Sequence, residues 1–95
     1  MKDPLSLSCR LRIPGEILFH DLQGEAVILN LETGVYFTLD AVGSRVWQLI
    51  QEHAVPHRIV ACLVDEYDVS EAACAKDVLG LVARMRENGL VEVVD

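Results

Sequence analysis

From Glu25 to Leu31 the chain alternates, with Val27, Leu29 and Leu31 on one face and Ala26, Ile28 and Asn30 on the other. That period of two is the mark of a pleated strand. Val35, Phe37 and Leu39 alternate with Tyr36 and Thr38 to give a second strand, and Leu31-Glu32-Thr33-Gly34 between them fits a short hairpin loop with Gly34 in the left-handed position. Upstream, Leu5, Leu7, Cys9, Leu11 and Ile13 alternate with Ser6, Ser8, Arg10 and Arg12, an extended segment that Pro14-Gly15 breaks. Glu16 to His20 predicts a further short strand, and Asp21-Leu22-Gln23-Gly24 a turn into the hairpin. The N-terminal half is therefore expected to be β, with at least one sheet edge to be covered, blunted or used.

After Leu39 the period changes to that of a helix. Asp40 is placed to cap a first helix in which Val42, Val46, Leu49 and Ile50 share one stripe, with Trp47 on a flank that faces another element. Pro56 opens a second helix with Ile59, Cys62, Leu63 and Tyr67 expected to face inward. Ser70 caps a third helix from about Glu71 to Asn88, which Gly89-Leu90 terminates, and the tail Leu90 to Val94 suggests a last strand. At 100° per residue, Cys74, Val78, Leu81, Val82 and Met85 form the central stripe of this third helix, and Ala75 and Leu79 widen it. So wide an arc implies either a helix buried on two sides or one whose flank lines a groove. Asp77 and Arg84 border it.

The remaining properties narrow the function. Ninety-five residues make one domain, 1–95, of which 1–15 is the extended N-terminal segment. The formal net charge of -7, from 15 acidic and 8 basic residues, disfavours unspecific nucleic-acid binding, which needs clustered Lys and Arg. No apolar run approaches the roughly 18 residues of a membrane span, and Asp3, Arg10 and Arg12 interrupt any signal-peptide core, so no membrane association and a cytoplasmic location are expected. Cys9, Cys62 and Cys74 lack CxxC spacing and read as small buried hydrophobes. His20, His53 and His57 have no metal-ligand spacing, none of the four serines sits in a GxSxG elbow, and no phosphate-binding glycine loop is present. No enzyme activity, metal or cofactor is expected.

The stretch GEAVILNLETGVYFTLDAVGSRVWQLI from Gly24 to Ile50, then YDVS at 67–70 and DVLGLVARMRENGLV from Asp77 to Val91, resembles the PqqD-like family, the RiPP precursor-peptide recognition elements. The turn Glu32-Thr33-Gly34, then Leu39, Gly43, Trp47 and Leu49, and finally Gly89-Leu90 carry the most specific part of the likeness. The resemblance implies an α+β, winged helix-turn-helix fold in which an N-terminal three-stranded antiparallel sheet precedes three helices. It also implies that a leader peptide docks as an added strand on the third strand and lies between it and the third helix. Carried onto this chain, the peptide-binding residues are Val35, Tyr36, Phe37, Thr38 and Leu39 on the strand, with Cys74, Asp77, Val78, Leu81, Arg84 and Met85 on the helix. Asp77 and Arg84 would meet polar leader groups, and Leu81 and Met85 an apolar anchor.

As partners the resemblance implies a precursor leader peptide and a modification enzyme, in a lasso-peptide pathway a leader peptidase followed by a cyclase. The alternative within the family is a PQQ-biosynthesis peptide chaperone acting with a radical SAM enzyme. A homodimer through the N-terminal segment is left open. A winged-helix DNA-binding regulator shares the helix order but needs a basic recognition helix, whereas Lys76, Arg84 and Arg86 are balanced here by Glu71, Asp77 and Glu87.

Overall fold

The alternating half of the chain folds into antiparallel strands, and the change of period after Leu39 marks the passage to helices. The structure, a computed structural model, describes residues 5–23 and 25–94. The elements run β1 (Arg10–Arg12), β2 (Ile17–Leu22), β3 (Glu25–Asn30), β4 (Tyr36–Leu39), α1 (Ala41–His53), α2 (Pro56–Glu66), α3 (Glu71–Glu87) and β5 (Glu92–Val94). The result is a mixed α+β domain with three helices and two antiparallel sheets. One sheet has the order β2-β3-β4, and the other is a separate ribbon of β1 and β5.

That ribbon differs from the expected single N-terminal sheet. Among the described residues of the extended N-terminal segment only three are strand, and they pair with the C-terminal tail, Arg10 opposite Val94 and Arg12 opposite Glu92. Further hydrogen bonds, one from the outward side of β1 itself, hold the segment elsewhere. The Leu11 N–H donates to the Ala54 carbonyl at 2.7 Å, and the His57 N–H donates to the Leu7 carbonyl at 2.9 Å, tying the segment to the α1–α2 corner. Residues 1–4 of that segment, and Gly24 of the expected turn, lie outside the described residues. β2 also runs two residues past His20, so Asp21 and Leu22 pair with Ala26 and Glu25 instead of turning.

β3 turns Ala26, Ile28 and Asn30 into the core and leaves Val27 and Leu29 half-buried. α1 starts where expected, with the Asp40 side chain accepting from the Gly43 N–H at 2.8 Å. Its buried side holds Val46, Leu49 and Ile50, but Val42 is 46% exposed while Trp47 is 1% exposed. Trp47 lies off the aliphatic stripe because its indole stacks on Phe19 of β2, centroids 6.3 Å apart and planes within 2°, so it closes the core between sheet and helix. In α2 the pattern holds at Ile59 and Leu63; Val60 is buried too, Cys62 is half-buried, and Tyr67 is exposed because the helix ends at Glu66. α3 is capped by Ser70 Oγ accepting from the Ala73 N–H. It ends with Gly89 at φ 73°, the Leu90 N–H reaching the Met85 carbonyl at 2.9 Å and the Gly89 N–H reaching the Arg86 carbonyl at 3.1 Å.

One polar residue joins the sheet to this helix end. Asn30 is 5% exposed. Its Nδ2 donates to the Gly89 carbonyl at 2.9 Å, while its Oδ1 accepts from the N–H groups of Glu32 and Thr33 in the hairpin loop. The hairpin carrying β4 is thereby fixed against the end of α3.

Candidate functional site

β4 is an edge strand. The Asn30 N–H donates to the Val35 carbonyl at 2.9 Å. In an antiparallel ladder alternate residues face the partner, so Phe37 and Leu39, opposite Ile28 and Ala26, turn their backbone groups to β3. Tyr36 and Thr38 therefore aim N–H and C=O away from the sheet, and among the described residues no strand lies on that side.

This open edge borders a cleft of about 840 Å³. Phe37, Thr38 and Leu39 form one side, and α3 forms the other from Ala73 to Arg84. Buried Val46, Leu63, Cys74 and Val78 underlie it, and Tyr67 and Val69, 39% and 45% exposed, stand with Val42 at its margins. Large apolar side chains left uncovered beside a groove are a physical mark of an interaction surface.

Eight of the residues named from the resemblance thus come together: Phe37, Thr38, Leu39, Cys74, Asp77, Val78, Leu81 and Arg84. Three do not. Met85 is wholly buried, continuing the stripe of Cys74, Val78 and Val82 into the core, so it presents no surface to a cleft. The boundary between buried and cleft-facing flanks of α3 falls between Met85 and Leu81. Val35 lies in the turn, outside the strand, and Tyr36, 69% exposed, points to the outer face of the sheet. Both contribute backbone position rather than cleft surface.

Val42, Tyr67, Val69, Lys76 and Gly80 line the cleft but are not among the peptide-binding residues the resemblance implies. Val42 and Tyr67 were assigned to buried stripes; only the tertiary arrangement leaves them uncovered. Gly80 did carry a signal, since a mid-helix glycine is unfavourable by about 1 kcal/mol relative to alanine.

The electrostatics are mild. Burial, and secondarily Asp77, push the Cys74 thiol above its ordinary pKa, so it is a neutral, weakly reactive lining group. Behind the cleft, Arg45 forks onto Glu66 at 2.8 and 2.7 Å, joining α1 to the end of α2 from which Tyr67 extends. The guanidinium hydrogen bonds hold the Glu66 carboxyl below the usual glutamate range. Among the described residues Lys76 and Arg84 are in no ion pair, no three His, Cys, Asp or Glu gather as metal ligands, and no helix is long and apolar enough to cross a membrane.

The family described as Coenzyme PQQ synthesis protein D (PqqD) matches residues 25–91, from the start of β3 to just past the α3 stop. The structure titled TbiB1 in complex with the TbiA(beta) leader peptide is 34% identical, with a TM-score of 0.80 over 85% of this chain and 94% of that one. A lasso peptide synthetase B1 complexed with its leader peptide shares the fold at 24% identity, with a TM-score of 0.78 over 86% and 96% of the two chains. Among curated proteins none matches significantly. With well over half of this chain matched by the family, and a structural relative at 34% identity covered almost end to end, the chain belongs to the PqqD family as a PqqD-like RiPP recognition element.

Proposed function

We propose that this protein is a non-catalytic recognition domain, spanning 1–95, that binds a precursor leader peptide and delivers it to partner modification enzymes. The observation that carries this is the unpaired β4 edge lying along an apolar cleft whose opposite side is α3. An extended peptide entering there pairs with the outward N–H and C=O of Tyr36 and Thr38 for orientation, and its alternate side chains enter the cleft for selectivity. The strands, followed by α2 and α3, then serve as a winged helix-turn-helix in which α3 lines a peptide cleft rather than a DNA groove. Holding substrate and enzyme together raises their effective concentration, so no catalytic group is required of this chain.

The likeness to TbiB1 at 34% identity supports a leader peptide as the ligand, and the first reading of its pathway is a lasso-peptide one, with a leader peptidase and a cyclase as partners. The family description favours the second reading, a PQQ-pathway peptide chaperone beside a radical SAM enzyme. Labelled leaders from precursors encoded beside the gene, with the TbiA(beta) leader as a further probe, would be titrated into wild-type protein and into Thr38→Pro. Proline at an edge removes the outward N–H without taking a bond from the β3 ladder. Affinity is expected to fall more than tenfold with the thermal midpoint little changed. Binding within twofold of wild type would rule out strand addition at β4, and binding by neither class of leader would rule out the function.

A further inference from the structure

Nothing among the described residues requires a glycine at Gly80. Gly43 is needed because a Cβ there would lie 3.0 Å from Leu39 Cδ2, and Gly34 and Gly89 adopt positive φ. Gly80 sits mid-helix, where glycine is poorly suited, and a Cβ built on it meets nothing within 4 Å. It is exposed on the cleft side of α3. One turn before it on the same ridge is Lys76 and one turn after it Arg84, both exposed, both lining the cleft and both outside any ion pair among the described residues. Asp77 shares this wall, which leaves it one charge positive in a chain of net charge -7.

We infer that Gly80 is a specificity notch: a peptide in the cleft seats a bulky apolar side chain against the bare helix backbone there, flanked two residues to either side by acidic side chains that meet Lys76 and Arg84. This rests on the leader-peptide recognition proposed above. The spacing fits. Lys76 and Arg84 are eight residues apart, about 12 Å along the helix, and the cleft follows α3 over this length. Residues i and i+4 of a strand are about 13 Å apart, and i, i+2 and i+4 share one face. The ligand class is therefore an extended peptide of pattern acid-x-bulky-x-acid.

The probe is a phage-displayed library of random 12-residue peptides, selected on the full chain as wild type, Gly80→Leu, the double variant Lys76→Glu/Arg84→Glu, and Thr38→Pro as the blocked-edge control. Wild type should enrich the pattern above. Gly80→Leu should melt no lower than wild type, because leucine favours the helix. It should bind wild-type-selected peptides at least tenfold more weakly and itself select a small residue at the central position. The charge-reversed variant should select basic residues in place of the acids. Gly80→Leu binding the wild-type peptides within twofold would overturn the notch while leaving recognition standing, provided those peptides fail on Thr38→Pro. Enrichment without acids at the flanking positions would overturn the charge pattern. No enrichment over the blocked-edge control would remove recognition and the notch together.

Discussion

Replacing Asn30 tests how the two sides of the cleft are held in register. Its three hydrogen bonds, at 2.9, 2.9 and 3.2 Å, are not equivalent. Glu32 and Thr33 are exposed, so water replaces Oδ1 at their N–H groups for a few tenths of a kcal/mol each, whereas the Gly89 carbonyl loses a partner in a half-buried site at about 1–2 kcal/mol. Asn30→Ala should therefore cost about 1.5–2.5 kcal/mol, a shift of roughly 6–20 °C in Tm for a domain of this size. Asn30→Asp keeps the loop acceptors but sets a carboxylate against the Gly89 carbonyl, so at pH 7 it should be at least as damaging. That repulsion raises the introduced group's folded pKa, so the variant regains stability as pH falls and loses it as pH rises through that pKa. A cycle with Gly89→Ala tests whether the Asn30 side chain sits against residue 89. In wild type the new Cβ meets both a φ of 73° and Asn30 Nδ2 at 3.0 Å; in Asn30→Ala only the backbone cost remains, so the double variant should lose about 1 kcal/mol less than the sum of the single ones. Urea unfolding followed by circular dichroism measures each term. Asn30→Ala costing under about 0.5 kcal/mol, or strict additivity with Gly89→Ala, would refute the linkage.

Two further outcomes follow from groups away from the cleft. The Ser44 hydroxyl is buried without a hydrogen-bond partner among the described residues, so Ser44→Ala removes a desolvated polar group and improves helix propensity; a gain of about 0.5–1 kcal/mol in urea unfolding is expected. Glu66, its pKa lowered by Arg45, contributes stability that is present above the unfolded glutamate pKa and lost as pH falls through the lower folded value. Glu66→Gln should therefore flatten the acid limb of the stability–pH profile, and an unchanged limb would show the ion pair to be without consequence.

Much of the fold was legible because its boundaries rest on local chemistry. Asp40, Pro56, Ser70 and Gly89 each mark a helix end through a cap, a missing N–H or a left-handed φ, none of which depends on the rest of the chain. The β1–β5 ribbon was not legible as such, since Arg12 and Glu92 meet across 80 residues of sequence and the alternating N-terminal segment gives no hint that α1–α2 takes its backbone bonds. Of the residues named from the resemblance, Phe37, Thr38 and Leu39 and the Asp77–Leu81–Arg84 flank border the cleft. Met85 was misplaced because a wide apolar arc has two flanks and periodicity does not say which one meets the core. Asn30 was read as one more alternating position, although a polar side chain on the inward face of a strand, just before a tight turn, is the sequence mark of a buried hydrogen-bonding role.

A strand held from one side only has two classes of amide, and this gives the most specific signature of strand addition. In the free protein the Phe37 and Leu39 N–H groups face β3, and those of Tyr36 and Thr38 face outward with no strand beside them among the described residues. Hydrogen exchange followed by NMR should therefore alternate along β4, slow at 37 and 39 and fast at 36 and 38. A peptide that adds to this edge donates to and accepts from residues 36 and 38, so exchange at those two amides should slow at least tenfold while 37 and 39 change little. A ligand that packs only through side chains, such as a helix in the cleft, leaves 36 and 38 without acceptors and slows the strand uniformly or not at all. Protection confined to α3, or equal at all four positions, would mean that the peptide does not complete the sheet, however tightly it binds.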